Sequence, residues 1–138
     1  MKKIVLKGRK VVGGYAEGEA LVSRQEISGF GSMSTEKGLV SEPNHEIRGI
    51  PLKDKILVFP STKGSAGFTY VFFRMKPLGI GPKGAIIRRM NSTSGWGFVF
   101  GNVPSVTDLD QDPLEVIATG DYIKLYADKG IVEVTKKA

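Results

Sequence analysis

The residues best placed for chemistry lie between two apolar runs in the middle of the chain. Ile56-Leu57-Val58-Phe59 is unbroken and of strand length. Pro60-Ser61-Thr62-Lys63-Gly64-Ser65-Ala66-Gly67 interrupts it, and apolar residues resume at Phe68, Tyr70, Val71, Phe72 and Phe73. A buried strand, a turn of small residues and a second apolar element bring backbone N–H groups together, and where a helix begins such groups favour an anion. Ser65 stands in the middle of this turn, with Gly64 and Gly67 letting the backbone fold tightly around its hydroxyl. The plainer alternative is an ordinary strand-to-helix turn in which Ser65 is only an N-cap. Spacing alone favours that alternative.

Other chemistries find less support. A Ser/His/Asp triad needs a base within hydrogen-bond reach of the serine. His45 is the only histidine, and Pro43-Asn44-His45-Glu46 reads as exposed loop, with His45 a surface or loop-packing residue. Asp108, Asp110 and Asp112 lack the glycine and terminal glutamate of a calcium loop and are read as solvating a turn. The central turn is not a Walker A loop, because Lys63 precedes its glycine. No glycine-rich dinucleotide motif is present. Trp96, Phe98 and Phe100 have the faces to stack on bases, but an aromatic run beside glycine is more often core. No signature of an RNA-recognition motif, KH domain or zinc finger occurs.

The elements that must position the turn follow from the surrounding pattern. The chain has 138 residues, 41% hydrophobic and 25% charged, which suits a single soluble domain over 1–138. Eighteen glycines and seven prolines favour short elements, with more strand than long helix. Residues 17–22 read as a strand with Ala20 and Val22 on one face and Leu21 on the other. Residues 23–49 read as a long loop or a pair of short hairpins. Residues 68–76 read as a short helix ending near Met75, because Pro77 and Gly79 stop it. Residues 85–87 are a second buried strand, giving a right-handed, parallel strand–helix–strand unit. Residues 96–100 fit a helical turn or another strand, 103–106 a short strand and 114–117 a helical turn. Residues 122–126 and 131–134 form a hairpin. The whole is a mixed α/β domain with a strand-rich layer around the central unit.

Charge and cysteine content bound the partners. The formal charge is +6, with basic residues at both ends, among them Lys2, Lys3, Lys7, Arg9, Lys10, Lys136 and Lys137. This permits nucleic acid, a phosphorylated ligand or an acidic partner, and a Lys-rich soluble surface is the preferred reading over a nucleic-acid site. There is no cysteine, so disulfides and thiolate metal sites within the chain are excluded, and iron–sulfur chemistry must come from a partner. No apolar run reaches the length of a membrane span, and the segment after Met1-Lys2-Lys3 is too short for a signal peptide. A cytoplasmic protein is expected.

The sequence resembles the small, swivelling-domain subunit of the aconitase X family. The resemblance is carried by Gly8-Arg9-Lys10-Val11-Val12-Gly13-Gly14-Tyr15-Ala16-Glu17-Gly18-Glu19-Ala20-Leu21-Val22-Ser23, by Leu57-Val58-Phe59-Pro60 and by Lys63-Gly64-Ser65. Gly84-Ala85-Ile86-Ile87, Gly101-Asn102-Val103-Pro104-Ser105-Val106 and Gly120-Asp121-Tyr122-Ile123 extend it over nearly the whole chain. It implies a swivelling β/β/α fold and pairing with a large subunit that carries a [4Fe-4S] cluster and most of the substrate site. It also implies a hydro-lyase activity in which Ser65 is the proton acceptor and the cluster iron, on the partner, acts as Lewis acid toward the leaving hydroxyl. A serine needs help for this, which the amides of Gly64, Ala66 and Gly67 and cations across the interface would supply. Lys63 is the nearest local cation, and a solvated turn residue is its equal alternative. Family members usually follow this serine with a second Ser or Thr, whereas Ala66-Gly67-Phe68-Thr69 follows here, a departure that bears on substrate choice. Two hydroxy-acid substrates compete within the resemblance. One is (R)-5-phosphomevalonate, dehydrated to trans-anhydromevalonate 5-phosphate on the mevalonate route, and the other is cis-3-hydroxy-L-proline. The basic pair Arg88-Arg89 tilts the choice to the first. A non-catalytic module binding RNA or a protein partner is the reading from another class.

Overall fold

Strands buried on both faces dominate the centre of the molecule. The computed structural model describes residues 2–29, 32–63 and 67–138. The chain opens with β1 (Lys3–Lys7), β2 (Arg9–Val12) and β3 (Tyr15–Val22), followed by the small hairpin of β4 (Met33–Ser34) and β5 (Leu39–Val40). Then come β6 (Lys55–Phe59), α1 (Gly67–Leu78), β7 (Gly84–Ile87), α2 (Ser92–Gly101) and β8 (Ser105–Thr107). The chain closes with α3 (Pro113–Val116), β9 (Tyr122–Tyr126), a 3-10 turn (Ala127–Lys129) and β10 (Ile131–Thr135).

Among the described residues, eight strands form one sheet in the order β1-β10-β9-β3-β6-β7-β8-β2. The four central strands, β3, β6, β7 and β8, are mutually parallel, and the flanking pairs are antiparallel. β1 and β2 occupy opposite ends of this order, yet only Gly8 separates them in sequence. The sheet must therefore curl until its two edges nearly meet. Gly8 makes that closure: its N–H donates to the Gly130 carbonyl at 2.8 Å, and a Cβ there would lie 2.5 Å from the Thr107 carbonyl oxygen.

Curling creates an inside and an outside. Alternate residues of the central strands go inward: Ala20 and Val22, Ile56 and Val58, Ile86 and Val106. They meet Ile123, Leu125, Val132 and Val134 from the antiparallel side, with Leu114 and Ile117 of the α3 region completing this core. The intervening residues Leu21, Leu57, Phe59, Ala85 and Ile87 face outward under the two longer helices and the segment before β6. The strand–helix–strand unit, the Ala20/Val22 against Leu21 split and the C-terminal hairpin match the sequence expectations.

α1 buries Phe68, Val71, Phe72 and Met75, spaced as one helical face requires. It runs to Leu78, beyond the expected stop near Met75, because Pro77 falls in the last turn, where the fixed proline φ is helical and only one hydrogen bond is lost. Gly79, at φ +67°, then ends it. The 96–100 ambiguity resolves to helix. Asn91 caps α2 with a reciprocal bond pair to Ser94, and Asn102 closes it in the left-handed region. Among the described residues, the segment from Ser23 to β6 contains one hairpin of two-residue strands, β4 with β5, and it feeds Ile27, Met33, Val40, Ile47 and Leu52 into the outer core. No helix among the described residues is long and apolar enough to cross a membrane.

Candidate functional site

The parallel strands β3, β6 and β7 all end at one edge, and the loops leaving that edge are where such sheets place ligands. The loop after β6 carries the central turn. Three of its expected site residues, Gly64, Ser65 and Ala66, lie outside the described residues. Lys63 before them is exposed, and Gly67 after them is buried as the first residue of α1.

The base of this turn is fastened on several sides. Ser61 Oγ donates to the Glu26 carboxylate. Ile27 N–H donates to the Ser61 carbonyl and Lys63 N–H to the Ile27 carbonyl, both at 3.2 Å. Thr62 is buried, and its Oγ1 donates to Asn91 Oδ1 at 3.0 Å while Asn91 Nδ2 reaches the Thr62 carbonyl at 3.4 Å. Asn91 thus caps α2 and clamps the turn with one side chain. On the far side Gly29 abuts the start of α1: a Cβ on it would lie 2.1 Å from the Gly67 carbonyl carbon. Arg88 and Arg89 N–H groups donate to the carbonyls of Phe59 and Pro60, so the loop after β7 tracks the same turn.

His45 is not an exposed loop residue. It is 6% exposed, its Nε2 bonds the Glu26 carbonyl at 3.0 Å, and its Nδ1 accepts from Ile47 N–H at 3.3 Å. Nε2 holds the strap that bears Glu26 and Nδ1 braces its own loop, which fits loop packing, the second of the two roles expected for it. Phe98 is core as expected, but Trp96 and Phe100 are not, being 57% and 49% exposed. The α2 helix turns Phe98 inward and the two others outward, an outcome set by the 3.6-residue period.

Cations line this edge of the sheet. Arg24 follows β3, Lys63 follows β6 and Arg88 and Arg89 follow β7, all exposed. Arg24 and Arg88 border a cleft of about 230 Å³ with Asp112, Leu114 and Glu115. Arg88 pairs with Asp112 at 3.4 Å, and Arg24 Nη2 donates to the Leu114 carbonyl at 3.4 Å. The acidic loop behaves structurally: Asp108 pairs with Arg9, Asp110 accepts from Lys7 N–H, and Asp112 caps α3.

Sequence reasoning missed Thr62, Asn91, Glu26 and Gly29. Asn91 with Ser94 three residues on is the local signature of a capped helix start, and it was the one legible signal among them. Among the described residues no group of three or more His, Cys, Asp or Glu is arranged to hold a metal ion, and the chain has no thiolate for a cluster. The chain's residues therefore do not fit an iron–sulfur cluster as ligands.

Comparison with known proteins agrees with this architecture. The sequence model of the aconitase X swivel domain matches residues 5–134. The phosphomevalonate dehydratase small subunit of Thermococcus gammatolerans is 39% identical over 129 residues, covering 94% of this chain and 96% of that protein. The protein of the same name from Methanosarcina acetivorans is 36% identical over 136 residues, covering 99% and 94%. The crystal structure of Thermococcus kodakaraensis aconitase X in its holo-form superposes with a TM-score of 0.90 at 37% identity, over 96% of this chain and 99% of that one. A family match over residues 5–134, joined to a fold that superposes with a TM-score of 0.90, leads to one conclusion: the chain belongs to the aconitase X family, as its swivel domain.

Proposed function

We propose that this chain, working as one unit over 1–138, is the small subunit of a cytoplasmic hydro-lyase that dehydrates (R)-5-phosphomevalonate to trans-anhydromevalonate 5-phosphate. The observation that carries this reading is the near-full-length similarity to small subunits bearing that activity in their name, at 34–39% identity. The row of Arg24, Lys63, Arg88 and Arg89 along one sheet edge supports it, since the substrate brings a carboxylate and a phosphate.

In this reading a [4Fe-4S] cluster belongs to the larger subunit, where it supplies Lewis acidity. This chain supplies Ser65, whose oxygen, once its own proton has been given up to solvent, takes the proton from the carbon beside the carboxylate and returns to the neutral hydroxyl. The amides of Gly64, Ala66 and Gly67, and the Lys63 ammonium, stabilise the oxygen as it carries negative charge. The clamp of Thr62 and Asn91 holds the approach to that segment, and Gly29 fixes its exit into α1.

Anaerobic co-expression with a candidate large-subunit gene tests the reading. The purified pair should dehydrate 5-phosphomevalonate, leave cis-3-hydroxy-L-proline nearly untouched and lose all turnover when the small chain is assayed alone. Turnover of hydroxyproline in preference, or activity of the small chain by itself, contradicts it.

A further inference from the structure

The outer face of α1 and α2 carries a contiguous apolar surface. Trp96 is 57% exposed, Phe73 56%, Phe100 49%, Val99 48% and Tyr70 43%. Trp96 stacks on Phe100 with ring centroids 5.7 Å apart, and Phe100 meets Phe73 edge-on at 6.2 Å. Thr69, Tyr70, Phe73, Trp96 and Phe100 line an open groove of about 600 Å³. Single exposed hydrophobes are ordinary, whereas a joined aromatic surface marks a place where another macromolecule sits.

Charge and position identify the occupant. Neither helix contains an Asp or Glu. The charged groups at the groove are cationic: Arg74 reaches the Tyr70 hydroxyl at 3.2 Å and covers its ring at 5.9 Å, and Lys10 and Arg9 border the adjoining depression beside Trp96. Arg9 is already paired with Asp108, which leaves Lys10 and Arg74 to set the sign of the rim. Two copies meeting here would bring like charges together. A complementary surface is apolar with a carboxylate rim. The groove also begins at the first turns of both helices, tied by Thr69 Oγ1 donating to the Thr93 carbonyl at 2.9 Å. α1 begins directly after residue 66 in sequence, and Asn91 at the start of α2 holds Thr62, so in the proposed reading a protein that completes the site comes against these two helix starts.

We infer that this groove is where the larger subunit docks, setting apolar side chains among Phe73, Trp96 and Phe100 and carboxylates against Arg74 and Lys10. The inference rests on the small-subunit reading above. Trp96 is the only tryptophan in the chain, so 5-fluorotryptophan labelling of the small chain gives one ¹⁹F resonance at the groove. Adding the unlabelled larger chain should shift that resonance and shield it from solvent. Trp96→Glu, checked for folding by circular dichroism, should weaken the complex about a hundredfold. A complex that forms by size exclusion with the resonance unmoved overturns the docking face and leaves the small-subunit reading intact, as does Trp96→Glu binding within about twofold of the parent. Failure of the parent chain to form any complex overturns both. A resonance that shifts with the concentration of the small chain alone assigns the groove to a second copy and overturns the inference.

Discussion

Thr62 is the residue on which the geometry of the turn hangs most visibly. Its side chain is buried and gives its one proton to an asparagine that lies 29 positions on in sequence. Thr62→Val keeps the shape and removes that bond, while Asn91 still caps α2 through Ser94 N–H. One hydrogen bond contributes about 1 kcal/mol to stability, so the melting temperature should fall by a few degrees, and turnover of the assembled enzyme should fall with KM little changed. Loss of stability with turnover unchanged would make Thr62 a packing residue only. The sequence showed the break between β6 and α1, because an interruption between two apolar runs is a local pattern. It did not show the clamp, the strap held by His45 or the press of Gly29 on α1, because each joins segments distant in sequence. Trp96 and Phe100 were misplaced for a related reason: an aromatic run does not say which members face inward until the element is known to be a helix.

At the scale of elements, the turn is held by what lies beneath α1 and α2. Phe59, Phe68, Phe72 and Phe98 form a four-ring cluster, with Phe98 edge-on to the other three at 5.5–6.2 Å. Phe98→Ala should cost about 3–5 kcal/mol by transfer and cavity terms together, measured by denaturant unfolding. A smaller loss would mean that α2 collapses onto the gap. The turn before β9 tells a different story. Burial pushes the Asp121 carboxyl up, but hydrogen bonds from Ala118 N–H, the Lys136 ammonium and Lys137 N–H outweigh it and hold the pKa below its ordinary value. A depressed carboxylate stabilises the fold above its unfolded pKa of about 3.9 and loses that contribution as pH falls through the folded value. Asp121→Asn should therefore cost about 2 kcal/mol near neutrality, with the gap between variant and parent closing below about pH 4. A gap independent of pH would contradict this account. The strand–helix–strand unit was legible from its apolar runs and breakers. The end of α1 was not, because a proline in a last turn is compatible with helix.

The whole molecule divides its surfaces between inward and outward tasks. Joining β1 to β2 through Gly8 closes the sheet on itself, so the parallel strands present a single edge of loops, and the exposed cations Arg24, Lys63, Arg88 and Arg89 gather there. Closure was not legible in the sequence, since it depends on which strands pair across the chain's full length. The absence of cysteine was legible at once, and it sends any thiolate-bound cluster to another chain. In the proposed reading this chain contributes the Ser65 hydroxyl. The most direct measurement is the anaerobic steady-state rate of the purified two-subunit enzyme on 5-phosphomevalonate with Ser65→Ala in the small chain. The account expects an intact, cluster-bearing complex whose turnover drops by about 10²–10⁴-fold, the usual worth of a general base. An equally intact complex turning over at close to the parent rate would contradict it.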